Sequence, residues 1–178
     1  SKTDMSNLRL INETEITSTV TSVNVTDVFS ADFDIYKIVL DGVQESAVGQ
    51  HQWVRMRFIN SSGSIITSNY DYAQLRMLSN SAFGEERQTN SVDLLYAGLG
   101  YSDDYGTNAV AYIFNPFSSS SYTFELAQGI FWNGTIMQTV KGIGVNKQTT
   151  SVTGFNLYQS SGSIGSGFIR TYGLRVDS

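Results

Sequence analysis

The stretch Gln52-Trp53-Val54-Arg55-Met56-Arg57-Phe58-Ile59 decides the fold class, because apolar side chains alternate with large polar or amphipathic ones. A period of two residues is typical of a β-strand with one buried face. One side of the strand carries Val54, Met56 and Phe58, and the other side carries Trp53, Arg55 and Arg57. The sequence therefore predicts a half-buried strand over residues 51–60.

Similar runs recur along the chain, separated by turn sequences rich in Ser, Gly, Asn and Asp. Val, Ile, Thr, Tyr and Phe favour strands, whereas pairs such as Asn133-Gly134 favour tight turns between them. Strands are predicted over residues 8–16, 19–28, 34–42, 51–60, 63–69, 91–97, 109–115, 122–128, 137–146, 151–159 and 167–176. Many short strands with frequent turns indicate an all-β, single-domain protein, a jelly-roll-like antiparallel β-sandwich.

Three segments do not follow this pattern. Residues 70–78 are the helix candidate, because two leucines there are three positions apart, although the aromatic side chains also suit a strand. The segment 79–108 is rich in Ser, Asn, Gly and Asp, and we expect it to form long loops that carry function or oligomer contacts. The polar residues 1–7 are predicted to form an N-terminal arm that precedes a sandwich domain over 8–178.

The composition restricts the function. The 178 residues include no cysteine, one histidine and one proline, and the formal net charge is −5. An acidic chain repels phosphate groups, so we expect no nucleic-acid partner. The absence of cysteine excludes a disulfide scaffold, a thiol nucleophile and a thiolate zinc site. We also expect no membrane span, since no apolar run approaches the ~20 residues required, and the first residues show no signal peptide.

Catalytic arrangements are not evident. A Ser-His-Asp triad would need His51, which starts a predicted strand, and the chain has no Gly-x-Ser-x-Gly turn for the serine. Paired carboxylates, which glycosidases use, occur as sequence neighbours in polar segments. These pairs are Asp32 with Asp34, Asp103 with Asp104, and Glu85 with Glu86. We interpret them as solvated surface groups and predict no catalytic residue and no cofactor.

One glycine-rich loop contains both oxygen ligands and tyrosines. Asp103, Asp104 and Asn108 could hold calcium, but their spacing matches no EF-hand loop, and we predict no metal site. Tyr101 and Tyr105 are candidate contact residues, because loops rich in Tyr, Gly and Ser provide binding surface at low entropic cost. The same composition is also typical of an ordinary surface loop.

The polar side of the strand 51–60 supplies the other candidate contact residues, Trp53, Arg55 and Arg57. The indole could stack on a sugar while the guanidinium groups hold its hydroxyls or an acidic substituent. The alternative is a strand face that a neighbouring subunit or sheet covers, since interfaces are also enriched in large aromatic residues and Arg. The residue types favour this second interpretation.

Three short segments form a recognisable pattern in chain order. The first is Phe29-Ser30-Ala31-Asp32-Phe33-Asp34-Ile35-Tyr36, the second is Tyr112-Ile113-Phe114-Asn115-Pro116, and the third is Tyr172-Gly173-Leu174 near the end. The pattern resembles that of small virion proteins of tailed bacteriophages, especially marine ones. With the residues that flank these segments, the resemblance spans most of residues 8–176.

The resemblance implies a jelly-roll sandwich and a non-enzymatic role as a structural protein of the virion. Within that group it implies either capsid decoration or a tail-fibre or receptor-binding component that attaches to the host surface. The implied partners are other virion proteins, a host surface glycan in the receptor-binding case, and further copies of the chain. A homotrimer is expected from the cyclic symmetry of fibres and knobs. The implied location is the virion, assembled in the host bacterial cytoplasm.

Two other functions stay open from the residues alone. One is a carbohydrate-binding module or lectin outside a virion, for which we expect dependence on a monosaccharide or on calcium. The other is a glycan-degrading enzyme with an acidic pair, which requires two carboxylates ~5–9.5 Å apart in a cleft.

Overall fold

The computed structural model describes residues 7–46, 52–80, 83–98, 106–132, 134–159 and 161–175, and within them it contains β-strands and no helix. The strands are β1 (Leu8–Ile16), β2 (Ser22–Val25), β3 (Ile35–Glu45), β4 (Trp53–Asn60), β5 (Tyr70–Leu78), β6 (Phe83–Ser91), β7 (Leu94–Gly98), β8 (Thr107–Phe114), β9 (Thr123–Trp132), β10 (Met137–Asn146), β11 (Val152–Gln159) and β12 (Ile164–Leu174). The prediction of an all-β antiparallel sandwich in a single domain is confirmed.

The strands form two antiparallel sheets that pack against each other. The eight-stranded sheet has the order β1-β12-β3-β8-β9-β10-β5-β6, and the four-stranded sheet has the order β2-β11-β4-β7. The first four strands of the large sheet, together with the small sheet, have the strand order of an eight-stranded jelly roll. The other four strands are two hairpins, β5–β6 and β9–β10, which extend the large sheet. We call them the extension strands.

The core lies between the two sheets and in most strands follows the alternation seen in the sequence. Met56 and Phe58 on β4 are fully buried, as the half-buried strand predicts. Phe155 on β11 lies 5.9 Å from the ring of Phe29, which in turn makes an edge contact with Tyr36 at 4.7 Å. Such aromatic pairs contribute to stability beyond the area that they bury.

Strand β7 lies close against the inner face of the large sheet. The hydroxyl of Tyr96 donates a hydrogen bond to the carbonyl oxygen of Ile38 at 3.1 Å. A Cβ at Gly144 would lie 2.5 Å from Leu94 Cδ2, so a larger residue there would require Leu94 to move. The inner faces of β8, β9 and β10 accordingly carry small residues: Ala109, Ala111, Ala127, Gly129, Gly142 and Gly144.

The sequence left residues 70–78 open between a helix and a strand, and the structure decides for a strand. The predictions of loops over 79–108 and of a strand over 63–69 are wrong. Residues 70–78 form β5 rather than a helix, because β10 provides a hydrogen-bonding edge and the aromatic ring of Tyr70 is buried between the sheets. The segment 79–108 is not a succession of loops, since it contains β6, whose polar composition reflects its position at the sheet edge. Residues 63–69 form no strand, and Ile65 makes an isolated bridge to Ile59.

Candidate functional site

The outer face of the extension strands exposes many large apolar side chains. Each of these side chains exposes between 36% and 81% of its surface. We call this set the apolar face: Leu75, Met77, Phe83, Phe124, Leu126, Ile130, Met137 and Ile143. Soluble monomers rarely expose contiguous apolar patches larger than a few hundred Å², and larger ones mark interaction sites. The apolar face is therefore the first candidate for a functional surface.

Strand β9 shows how this face arises. Most of its large apolar side chains point to solvent, and most of its small or polar side chains point to the core. The buried positions are Thr123, Glu125, Ala127, Gly129 and Phe131, and the exposed positions are Phe124, Leu126, Gln128 and Ile130. Hydrogen bonding to β8 and β10 sets the side that each residue faces. Most of the large apolar side chains of β9 therefore face solvent, whereas Phe131 faces inward.

The apolar face is continuous across neighbouring strands. Leu126 on β9 pairs with Tyr112 on β8 and with Ile143 on β10, and Ile143 pairs with Ala73 on β5. Directly paired residues on one side of an antiparallel sheet contact each other. These pairs form one apolar row across the strands. The next row on the same face contains Leu75 together with Gln128, Lys141 and Glu85, and the row beyond it contains Ile130, Met77 and Phe83.

A groove follows the apolar face beside β6. Its larger part has a volume of about 910 Å³, and its walls include Ala73, Thr89, Phe124, Ile143 and Val145. A smaller part of about 320 Å³ shares Ala73 and Ile143 with the first and extends to the side chains of Leu75, Leu126 and Lys141. The groove suits apolar groups of a partner, because most of these side chains end in hydrocarbon.

Charged groups of both signs surround the apolar face. Arg87 Nη1 lies 3.8 Å from Glu85 Oε1 on β6, and Lys147 Nζ lies 3.0 Å from Asp71 Oδ1. Lys141 is exposed on β10 beside the paired residue Leu75. Such surface pairs contribute little to folding, but border charges determine which partners a surface accepts.

The predicted contact residues Arg55 and Arg57 lie in a polar network on the four-stranded sheet. Arg55 Nη1 donates to Asp93 Oδ1 at 2.9 Å, and the Tyr158 hydroxyl donates to Asp93 Oδ2. Arg57 Nη2 donates to the Tyr158 hydroxyl at 2.6 Å, and its guanidinium carbon lies 4.0 Å from the centre of that ring. Burial, together with the Asp93 carboxylate, raises the pKa of Tyr158 to about 12. The network thus satisfies a buried carboxylate.

Trp53, the third residue of that group, makes separate contacts. Its ring lies 6.0 Å from the ring of Phe131 on β9 in an edge-to-face arrangement. The guanidinium of Arg76 on β5 lies 5.8 Å from the indole. The structure therefore connects Arg55 to Arg57 through Asp93 and Tyr158, and it places Trp53 against the large sheet.

Several other candidates from the sequence cannot be placed. Outside the described residues lie Tyr101, Tyr105, His51, Asp103 and Asp104. Asn108, the remaining calcium candidate, accepts a hydrogen bond from the backbone nitrogen of Gly42 at 3.1 Å. The part of the chain that the structure describes contains no group of three or more His, Cys, Asp or Glu side chains that could hold a metal ion.

The neighbouring carboxylates that are described belong to surface segments. Asp32 is exposed and accepts a hydrogen bond from the Ser30 hydroxyl at 3.1 Å. Asp34 is exposed as well. Glu85 and Glu86 follow each other on β6 and point to opposite faces of the sheet, as successive strand residues do.

Besides Asp93, two buried carboxyl groups among the described residues were not predicted from the sequence. Glu125 lies on the inner face of β9, where no described group donates to its Oε1, and burial raises its pKa to about 8. Glu45 ends β3 and accepts a hydrogen bond from the backbone nitrogen of Gln52 at 2.8 Å. Burial raises the pKa of Glu45 to about 7. No local signal distinguishes either residue from a polar residue on the solvent side of a strand.

The residues of the apolar face were not predicted as a functional surface, although the sequence of β9 shows an alternation that identifies them as one apolar side. Phe124, Leu126 and Ile130 occupy alternate positions and form one apolar side of the strand. Sequence reasoning assigns such a side to the core. The alternation does not indicate which side of the strand the second sheet covers.

Among the described residues, no helix is long and apolar enough to cross a membrane. In comparisons with known proteins, the chain matches no protein-family model and no curated protein sequence at a significant level.

Proposed function

We propose that the chain is a non-enzymatic structural protein of a bacteriophage virion, which acts by becoming part of an assembly. The apolar face is the observation that supports this most strongly, because an apolar surface of this extent is normally covered by a partner. The jelly-roll strand order and the resemblance of three segments to virion proteins of tailed phages support the same role.

Two positions on the particle agree with this role. The chain would serve either in capsid decoration or as a tail-fibre or receptor-binding component that attaches the particle to its host. In both cases its partners are other virion proteins and further copies of itself, with a trimer as the expected homo-oligomer. The protein would be located in the virion after assembly in the host bacterial cytoplasm. A receptor-binding component would in addition contact a glycan of the host surface.

The test is binding of the purified, fluorescently labelled protein to two surfaces in parallel. One surface is the particle of the phage that encodes the chain, produced without it, and the other is the host cell. Saturable binding to particles would support decoration or a tail position, and saturable binding to cells would support attachment. Binding to neither, by protein that circular dichroism shows to be folded, would overturn the proposal.

A carbohydrate-binding module outside a virion is the second candidate, and one observation on the four-stranded sheet favours it. Asn156 is buried and donates through Nδ2 to Asn24 Oδ1 at 2.7 Å. Asn24 is exposed on β2, and the half-buried Arg57 on β4 pairs with the other side of Asn156 in the same sheet. Amide and guanidinium groups of this kind bind sugar hydroxyls.

This second candidate is tested on an array of defined glycans. It predicts that the wild-type protein binds a particular sugar and that Asn24→Ala weakens this binding, whereas Ser120→Ala, an exposed control, does not. Equal binding of wild type and Asn24→Ala, or no binding to any glycan, would exclude this use of the polar surface.

A further inference from the structure

We propose that a second copy of this chain covers the apolar face. This inference rests on the proposed function, and it names the surface where copies meet within the assembly. It departs from the expected trimer, because a face that covers the same face of another copy relates the two copies by a two-fold axis. It is supported by the area, the shape and the border charges of the apolar face, and by the composition of the neighbouring sheet edge.

The area of the apolar face matches one side of a stable interface. Its eight side chains expose roughly 800 Å² in total, if a large side chain offers about 200 Å² when fully exposed. Stable interfaces of standard size bury about 800 Å² on each partner. Two such faces in contact would therefore bury enough surface to hold two copies together.

The shape of the apolar face offers both a projection and a recess. Phe83, which is 81% exposed, projects at the start of β6. The groove of about 910 Å³ lies further along β6, beside Arg87, and is lined by Phe124, Ile143 and other residues. Faces of antiparallel sheets pack on each other with interdigitating side chains. In a pair of copies, Phe83 of each copy would be available to fill the groove of the other.

The border charges suit an identical partner. Arg87 and Lys147 supply positive charge on this border, and Glu85 and Asp71 supply negative charge. Lys141 lies within the apolar face, between Gln128 and Leu75. Two copies related by a two-fold axis can place unlike charges opposite each other. A partner with charge of one sign would meet like charges along part of this border, which opposes association.

Two copies could also associate by pairing their sheet edges, but the edge strand β6 is unsuited to this. Its sequence includes Glu85, Glu86 and Arg87. Charged side chains on an edge strand oppose hydrogen-bonded pairing with another chain. A second copy would therefore lie on the apolar face and would not continue the sheet.

The experiment measures the oligomeric state by analytical ultracentrifugation over a wide range of protein concentration. We expect the wild type to associate, and we expect the double variant Leu126→Glu with Ile143→Glu to weaken association by at least about 100-fold. Val92→Glu is the matched control, because Val92 is also exposed and apolar but lies in the turn between β6 and β7. This control should associate like the wild type.

A milder pair, Leu126→Ser with Ile143→Thr, keeps the test valid if the charged variant does not fold. Circular dichroism and the urea midpoint show which variants are folded. A wild type that stays monomeric at every concentration would overturn the inference. So would folded variants of both kinds that associate as tightly as the wild type.

Failure of this inference is distinguishable from failure of the proposed function. A monomeric wild type that binds phage particles or host cells would end the inference and leave the proposed function in place. A wild type that associates through the apolar face but binds neither particles nor cells would support the inference and overturn the virion role.

Discussion

Strands β4 and β9 have sequences of the same alternating kind, yet one buries its large apolar side chains and the other exposes them. Met56 and Phe58 on β4 lie in the core, whereas Phe124 and Leu126 on β9 face solvent and Glu125 points inward. The difference lies in which side of the alternation faces the second sheet. On β9 that side carries Thr123, Glu125, Ala127 and Gly129, and β7 packs against it. An apolar strand face therefore does not always belong to the core of its own molecule.

The largest expected effect tests the β4 side of this comparison. Phe58→Ala would remove a fully buried ring that lies 6.0 Å from the ring of Tyr70. We expect the free energy of unfolding to fall by about 4 kcal/mol, because the ring leaves a cavity that the sheets cannot close. Urea unfolding measures this change, and a loss below about 1 kcal/mol would contradict a central position for β4.

The second prediction concerns the carboxyl group that β9 turns inward. Glu125 has a folded-state pKa of about 8, against an ordinary value of 4.5. Between these two pH values the unfolded chain has released the proton and the folded chain still holds it. Stability is therefore complete below pH 4.5 and is lost as the pH rises towards about 8. We expect this loss to be on the order of 3 kcal/mol.

Glu125→Gln tests the assignment, because the amide has nearly the same shape and no charge to bury. Urea unfolding at about pH 5 and about pH 8 should give a much smaller difference in stability for this variant than for the wild type. Glu85→Gln is the control, since Glu85 is exposed and its substitution should leave the pH dependence unchanged. An unaltered pH dependence in Glu125→Gln would show that another group is responsible.

The third prediction tests the polar network on β4. Asp93→Ala would remove the acceptor of the hydrogen bonds from Arg55 and Tyr158. We expect a loss of about 2 kcal/mol in the free energy of unfolding, because breaking a buried charged pair is costly, but the partly exposed guanidinium of Arg55 keeps some hydration. Urea unfolding of Asp93→Ala measures the loss. Asp32→Ala, at an exposed carboxylate, should change stability far less.

The smallest effect is expected on the exposed side of β9. Leu126→Ala, measured by urea unfolding at protein concentrations where the chain is monomeric, should lower the free energy of unfolding by less than about 1 kcal/mol. The leucine side chain is already partly hydrated in the folded monomer, so its removal creates no buried cavity. A loss comparable to that in Phe58→Ala would mean that Leu126 is buried within a single copy.

Much of the fold could be predicted because strand signals are local. The predicted strands 8–16 and 137–146 coincide with β1 and β10. The sequence of β5 suits both a helix and a strand, because its leucine spacing is helical and its aromatic content is typical of a strand. Pairing with β10 decides between the two. Strand β6 was not predicted, because its polar residues at the sheet edge have the composition of a loop.

The candidate surfaces were less accessible to sequence reasoning. Arg55 and Arg57 were identified as contact residues from their alternation with apolar neighbours. Their partner Asp93, however, is 38 positions away from Arg55 in the chain, and no local pattern joins the two. The carboxyl group of Glu125 could not be recognised as buried without knowledge of which side of β9 the second sheet covers.

By itself, the sequence determined the fold class and the presence of apolar strand faces, because β-propensity and a two-residue period are properties of neighbouring residues. Only the tertiary structure decided which faces lie inside. That choice depends on the hydrogen-bonded neighbours β8 and β10, and on β7, which packs against the inner side of β9. These contacts join distant parts of the chain, so Leu126 and Ile143 face outward although their hydropathy is that of core residues.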